Sequence, residues 1–243
     1  MEYDRRNLIR TAGSLCIASP ALALAGCSGG QEEKEEEGGE GVTANEDLMR
    51  EHGVLRRVLI LYREAAPAIA ATPARVDAGA LAAAATLFRD FGEHYHEQLL
   101  EEQHIFPRVR KAGGDGVRLI DTLLAQHKRG REITDYILDR TRGGGIAPAD
   151  AGSVSASMLA FARMYEAHAA REDTVIFPAF KAALGSHAYA EIGEQFEEIE
   201  HRLFGRDGFE EANGRIGAIE QTMGINDLAS FTAPAPQQAV ATK

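Results

Sequence analysis

The sequence predicts an all-α, up-down-up-down four-helix bundle with one or two extra helices at its C-terminal end. Three observations carry that expectation. From Thr43 onward apolar residues recur at helical spacing, no stretch shows the period of two of a half-buried strand, and short Gly- and Pro-containing links separate the periodic segments. At 243 residues, 44% of them hydrophobic, the chain has enough material for one core that closes without disulfides.

Residues 1–26 are set aside from the fold as an export signal. Asp4-Arg5-Arg6-Asn7-Leu8-Ile9-Arg10 puts an arginine pair ahead of an apolar stretch from Ala12 to Ala25, which ends in Leu24-Ala25-Gly26-Cys27. That stretch is too short to span a hydrocarbon core of about 30 Å. The order of features resembles a twin-arginine signal with a bacterial lipobox. The resemblance implies cleavage before Cys27, a lipid on its sulfur, and a product tethered to the periplasmic face of a membrane. Cys16 falls in the discarded part, so the exported chain keeps no free thiol. Residues 27–42 read as an acidic flexible stalk, because Glu32 to Gly41 holds six Glu, one Lys and three Gly, which repel one another or resist ordering.

The bundle is expected over residues 43–222. Thr43-Ala44-Asn45-Glu46 is a capping-box pattern, and the first helix runs from there to Ala66, with Pro67 and Pro73 closing it. A second runs from about Asp77 past His104 and is kinked or ended by Pro107. The third spans about Asp115 to Arg142, stopped by Gly143-Gly144-Gly145, and the fourth runs from near Pro148 to Pro178. A fifth, Ser186 to Gly205, and a short sixth, near Phe209 to Met223, complete the set. Residues 223–243, with two prolines and several Ala, Thr and Gln, read as a disordered tail. The formal net charge of −11 disfavours a phosphate backbone as partner, so nucleic acid is not expected.

The chain repeats itself. Ile105-Phe106-Pro107 recurs as Ile176-Phe177-Pro178, 71 residues later, and Asp47 to His52 resembles Asp121 to His127, with the histidines 75 apart. Two related helical hairpins follow, each with one His on its first helix and a His/carboxylate cluster on its second. Packed face to face, they bring both clusters to the bundle axis.

Of the eight histidines, His94, His104 and His187 are expected to be bystanders. His168 and Glu172 are four apart, about 40° around an α-helix, close enough to share one ion, and Asp173 follows on an adjoining side. On the second helix His96 and Glu101 are five apart, whereas Glu97 and Glu101 are four apart. Counted back from the shared Phe-Pro, Glu101 matches Glu172, but Glu97 and not His96 matches His168, so Glu97, Glu101 or both face inward. His52 and His127 add one imidazole each from the other two helices. Phe88, Phe91, Tyr95, Phe161 and Tyr165 are interleaved and read as core packing, with room for one tyrosine near the cluster. A carboxylate inside a bundle is costly unless paired with a cation, and imidazole with carboxylate suits iron, zinc, manganese or copper.

The segments from His96 to Pro107 and from His168 to Pro178 are similar to those of hemerythrin-like (HHE cation-binding) domains, over about Asp47 to Phe209. The resemblance implies a bundle holding two Fe ions, oxo- or hydroxo-bridged, that binds dioxygen reversibly. It implies metal ligands His52 on the first helix, His96 and Glu101 on the second, His127 on the third, and His168 with Glu172 or Asp173 on the fourth. Hemerythrins carry a further His four residues after the third-helix one, and here that position is Arg131. His201 on the fifth helix is the candidate to fill the gap. The expected function is binding or sensing of dioxygen, or another small diatomic ligand, by a tethered lipoprotein. The alternatives are a di-iron peroxide or nitric oxide reductase, and a module that stores iron or another divalent metal.

Overall fold

A computed structural model describes residues 42–236. The export signal, Cys27, nearly all of the stalk and the last seven residues lie outside the described residues. Every extended element among the described residues is helical.

α1 runs over Ala44–Ala71 and begins on a closed capping box, in which Thr43 Oγ1 accepts from Glu46 N while Thr43 N donates to Glu46 Oε2 at 2.8 Å. It continues through Pro67, where the sequence predicted its end. The lost backbone hydrogen bond is outweighed because Ala65, Ala66 and Ile69 on either side of the proline are buried in the core. After a 3-10 turn at Pro73–Arg75, Asp77 caps α2, Ala78–Leu87.

α2 passes without a break into a π-helix, Phe88–Ile105, and then into α3, Phe106–Ala112. Pro107 therefore neither ends nor interrupts this rod. α4 covers Val117–Thr141 and α5 covers Ala151–Arg171. A second π segment, Glu172–Ile176, leads into α6, Phe177–Phe204. Gly185 interrupts this span with φ 70° and ψ 166°, a backbone that side-chain-bearing residues rarely adopt, so α6 is two helices meeting at a kink, and the fifth helix predicted from Ser186 follows the break. α7, Gly208–Met223, is capped by Asp207, and beyond it Leu228–Phe231 forms a 3-10 turn within the predicted tail.

π-helical hydrogen bonds join each residue to the fifth one before it and usually appear as single turns. Here they last 18 residues in one rod and five in the other. The repeated Ile-Phe-Pro is the device that ends both. Phe106 N donates to Glu101 O and Phe177 N donates to Glu172 O, five residues back in each case. The next residue is proline, which has no N–H to place where the register changes, and the chain then winds as an ordinary α-helix.

α1 packs on α5, α2 on α4, and α4 on α5, while α7 lies against α1 and α2. The core near one end is aromatic, with the Phe161 ring 5.6 Å from Tyr62, 4.8 Å from Phe88 and 4.6 Å from Tyr165. Each fully buried Phe there contributes about 1.5–3 kcal/mol by leaving water. No helix among the described residues is long and apolar enough to cross a membrane.

Candidate metal centre

The four rods bring six of the seven predicted ligands to one buried place. His52, His96, Glu101, His127, His168 and Glu172 are all buried, and their ligand atoms form two groups that share Glu101. The first hairpin supplies His52 and His96; the second supplies His127 and His168. Glu101 Oε1 lies 3.6 Å from His96 Nε2 and its Oε2 lies 3.3 Å from His127 Nε2. Glu172 Oε2 lies 3.6 Å from His52 Nε2 and its Oε1 lies 3.0 Å from His168 Nε2. Each carboxylate thus turns one oxygen toward each pair of imidazoles.

The π-helix explains the five-residue spacing of His96 and Glu101. On an α-helix that spacing would separate them by about 140°. With bonds to the fifth residue, positions five apart stack, so both side chains face the axis. Glu97 is also buried but serves elsewhere: its Oε1 accepts from the Tyr165 hydroxyl at 2.6 Å, and its Oε2 accepts from Arg131 at 3.1 Å.

All four imidazoles are held from behind by Nδ1. His52 Nδ1 lies 2.7 Å from Asp173 Oδ1, and His127 Nδ1 lies 2.9 Å from Glu102 Oε1. His96 Nδ1 is 2.6 Å from Glu51 Oε2, and His168 Nδ1 is 2.9 Å from Gln126 Oε1. These oxygens only accept, so each Nδ1 donates its proton to them and Nε2 is left facing inward. Phe177 stacks on His52 at 5.3 Å and Phe106 on His127 at 5.6 Å, so the Phe of each Ile-Phe-Pro also fixes a ring of the other hairpin.

This arrangement is costly without a cation. His127 Nε2 and His168 Nε2 face each other at 3.1 Å, two acceptor atoms unless something positive stands between or on them. His96 Nε2 and all four oxygens of Glu101 and Glu172 are buried with no hydrogen-bond partner among the described residues. Protons are the stand-in. Burial works against the charged form of His96, but Glu101 and Glu51 override it and hold the imidazole well above its usual range. His127 is likewise raised against burial, by Glu97, Glu101 and Glu102. Burial pushes Glu101 up, and His96 and His127 outweigh it, leaving the carboxyl well below its ordinary value. A donor set of four nitrogens and two carboxylates, orphaned and dry, fits divalent cations such as iron.

Two predicted details change. His201 does not fill a gap: it is exposed on α6, and the inward position of that turn is Glu200, whose Oε1 accepts from Phe209 N at 2.8 Å. Arg131, which stands where hemerythrins carry the further His, does not enter the cage. Its guanidinium sits behind His127, 2.5 Å from Glu102 and 3.1 Å from Glu97. Arg56, four residues after His52 as Arg131 is after His127, pairs with Asp173 in the same way. The residues that the sequence reading missed are therefore Glu51, Arg56 and Gln126. The signal was the repeat itself: Glu51 and Gln126 directly precede His52 and His127, and the arginines follow at equal distance. Of the predicted bystanders, His94 and His187 are exposed and His104 is half-buried.

A small cavity opens onto the cage itself, where His52, His96, Glu101, His168 and Glu172 meet Leu55, Leu59, Phe88, Tyr165 and Arg56. The Tyr165 hydroxyl fits only because residue 130 is glycine; a methyl group there would overlap it. The Tyr95 hydroxyl also has a polar partner at the cage, donating to Glu51 Oε1 at 3.1 Å.

A helical bundle that gathers imidazoles and carboxylates on its axis defines a cation-binding protein. The hemerythrin HHE cation-binding domain model matches residues 43–180, and the chain belongs to that family. It is 40% identical over 239 residues to uncharacterized protein Rv1995 of Mycobacterium tuberculosis (strain H37Rv), covering 94% of this chain and 90% of the relative. The same identity and coverage hold for uncharacterized protein Mb2018 of Mycobacterium bovis. No solved structure matches the chain.

Proposed function

We propose that the bundle binds two iron ions, which His52, His96, His127 and His168 together with Glu101 and Glu172 would hold, and that it binds or senses dioxygen or another small diatomic ligand. The observation that supports this most is the set of five orphaned ligand atoms of His96, Glu101 and Glu172, completed by the facing nitrogens of His127 and His168. His52, His96, His127 and His168 would present neutral nitrogens to the ions, and the two glutamates would balance charge. Iron held there would supply reversible electron exchange and a Lewis-acidic place for a small ligand. The apolar side chains of Leu55, Leu59 and Phe88 on the cavity wall suit a small uncharged molecule better than a charged one. The chain contributes no cysteine to the bundle, which leaves a reductase without a thiol partner of its own.

The export reading remains part of the proposal. Arg5-Arg6, the apolar stretch and Cys27 support a lipid-anchored protein on the periplasmic face, folded and metal-loaded before transport. In cell fractions Cys27→Ser should release the protein from membranes; retention in the membrane pellet would contradict the anchor.

The functional test uses the iron-loaded chain, its iron content, and its visible spectrum under argon and then air. About two irons per chain with bands that appear in air and vanish under argon support the carrier or sensor. Irreversible oxidation with peroxide consumption supports the reductase. Loose, non-stoichiometric metal supports the storage module.

A further inference from the structure

The two hairpins build the cage by one plan, and among the groups bonded to the imidazoles they differ in charge at one place. Behind His52 stand Asp173 and Arg56; behind His127 stand Glu102 and Arg131. Behind His96 stands the carboxylate of Glu51, buried and also bonded to the Tyr95 hydroxyl. Behind His168 stands the neutral amide of Gln126, half-buried. Glu51 and Gln126 occupy the same place in the repeat, one residue before His52 and His127.

An imidazole that donates Nδ1–H to a carboxylate is a stronger electron donor at Nε2 than one donating to an amide, because the charge-assisted bond draws the proton away from the ring. Counted by charge, the nearest acids and arginines balance between the two pairs, and Glu97 Oε2 comes within 3.9 Å of His127 Nδ1 without bonding to it. Around the first hairpin's pair Glu51 and Asp173 face Arg56, and around the second pair Glu97 and Glu102 face Arg131, two acids against one arginine on each side. What remains is the bond on the ring itself.

We propose that the two cation positions are unequal by construction: the one between His52 and His96 fills first and holds its ion more tightly, and Glu51 against Gln126 is the determinant. This rests on the two-cation reading above. It makes Glu51 and Gln126 positioning residues that act through their histidines, and it gives the pair of ions a fixed polarity along the bundle.

The test is a titration of the metal-free, full-length chain with cobalt(II), followed by its visible absorption and by the paramagnetically shifted imidazole N–H signals. In the unmodified chain the signals of His52 and His96 should shift at the first equivalent and those of His127 and His168 at the second. The two steps should differ in affinity by about 10-fold or more, the range over which such supporting bonds act. Glu51→Gln should weaken the first step by about 10–100-fold and bring the steps together. Gln126→Glu, which keeps its size, should tighten the second step by a similar factor, and it serves if Glu51→Gln fails to fold. Two ions bound with both histidine pairs shifting together, unmoved by either substitution, would overturn the inequality and leave the two-cation reading standing. One ion or none per chain would overturn both.

Discussion

The hairpin ending at Ala112 and the one continuing into α6 deliver the same chemistry through unlike backbones. The first reaches its His–Glu pair inside an 18-residue π segment and spaces the two by five; the second needs only a five-residue segment and spaces them by four. Both end on Phe-Pro, both send a carboxylate to the axis, and both hold a histidine of the opposite hairpin with an acid one residue later, Glu102 or Asp173. What is kept is direction in space. Residue spacing is free to drift when the winding of the helix drifts with it.

The largest effect expected from breaking this correspondence is loss of the ions. His168→Ala or Glu101→Ala should abolish tight metal binding, while His187→Ala and His201→Ala should leave metal per chain unchanged, as read by elemental analysis after dialysis. Equal retention in His168→Ala and His187→Ala would remove the assigned site.

A smaller effect sharpens a difference between the hairpins, because only the second has a tyrosine seated on a glycine. Gly130→Ala should cost about 1–3 kcal/mol through overlap with the Tyr165 hydroxyl. Pairing it with Tyr165→Phe should recover part of that loss, so the double variant melts above the sum of the singles. Strict additivity would show that the contact is not shared.

The mildest effect is pH dependence, and it involves one imidazole from each hairpin. His96 and His127 are raised in the folded chain, so their contribution is complete below the unfolded value of about 6.5 and fades as pH climbs through the folded value. Glu101 is depressed, so its contribution is complete above about 4.3 and fades as pH falls. The metal-free chain should therefore melt progressively lower from pH 6.5 to 8.5. Cations compete with those protons, so the loaded chain should melt further above the metal-free one as pH rises. A metal-free melting point that rises over this interval would contradict the protonated cage.

Much of this was legible in the amino-acid order. Thr43 to Glu46 announced the start of α1, and the absence of period-two alternation excluded a sheet. The histidine–carboxylate recurrence before Phe-Pro pointed to the axis. Other features were not legible, for identifiable reasons. Pro67 reads as a stop because the burial of Ala66 and Ile69 that carries the helix past it is a tertiary effect. The choice between Glu97 and Glu101 turned on winding, which side-chain propensity does not encode. His201 misled because a histidine on an acidic helix reads alike whichever way it faces, and the inward position of its turn is Glu200. Arg131 looked like a missing ligand; it is half of a clamp whose other copy, Arg56, was equally visible.

The long π segment makes chain length itself a chemical variable. Deleting one residue between 88 and 95, with the winding on either side unchanged, would swing His96 about a quarter-turn off the axis. Composition, charge and apolar pattern would hardly change. A descendant shortened in this way would still spell out every ligand and yet lose one arm of its chelate, a silent loss that a census of residue types would not register.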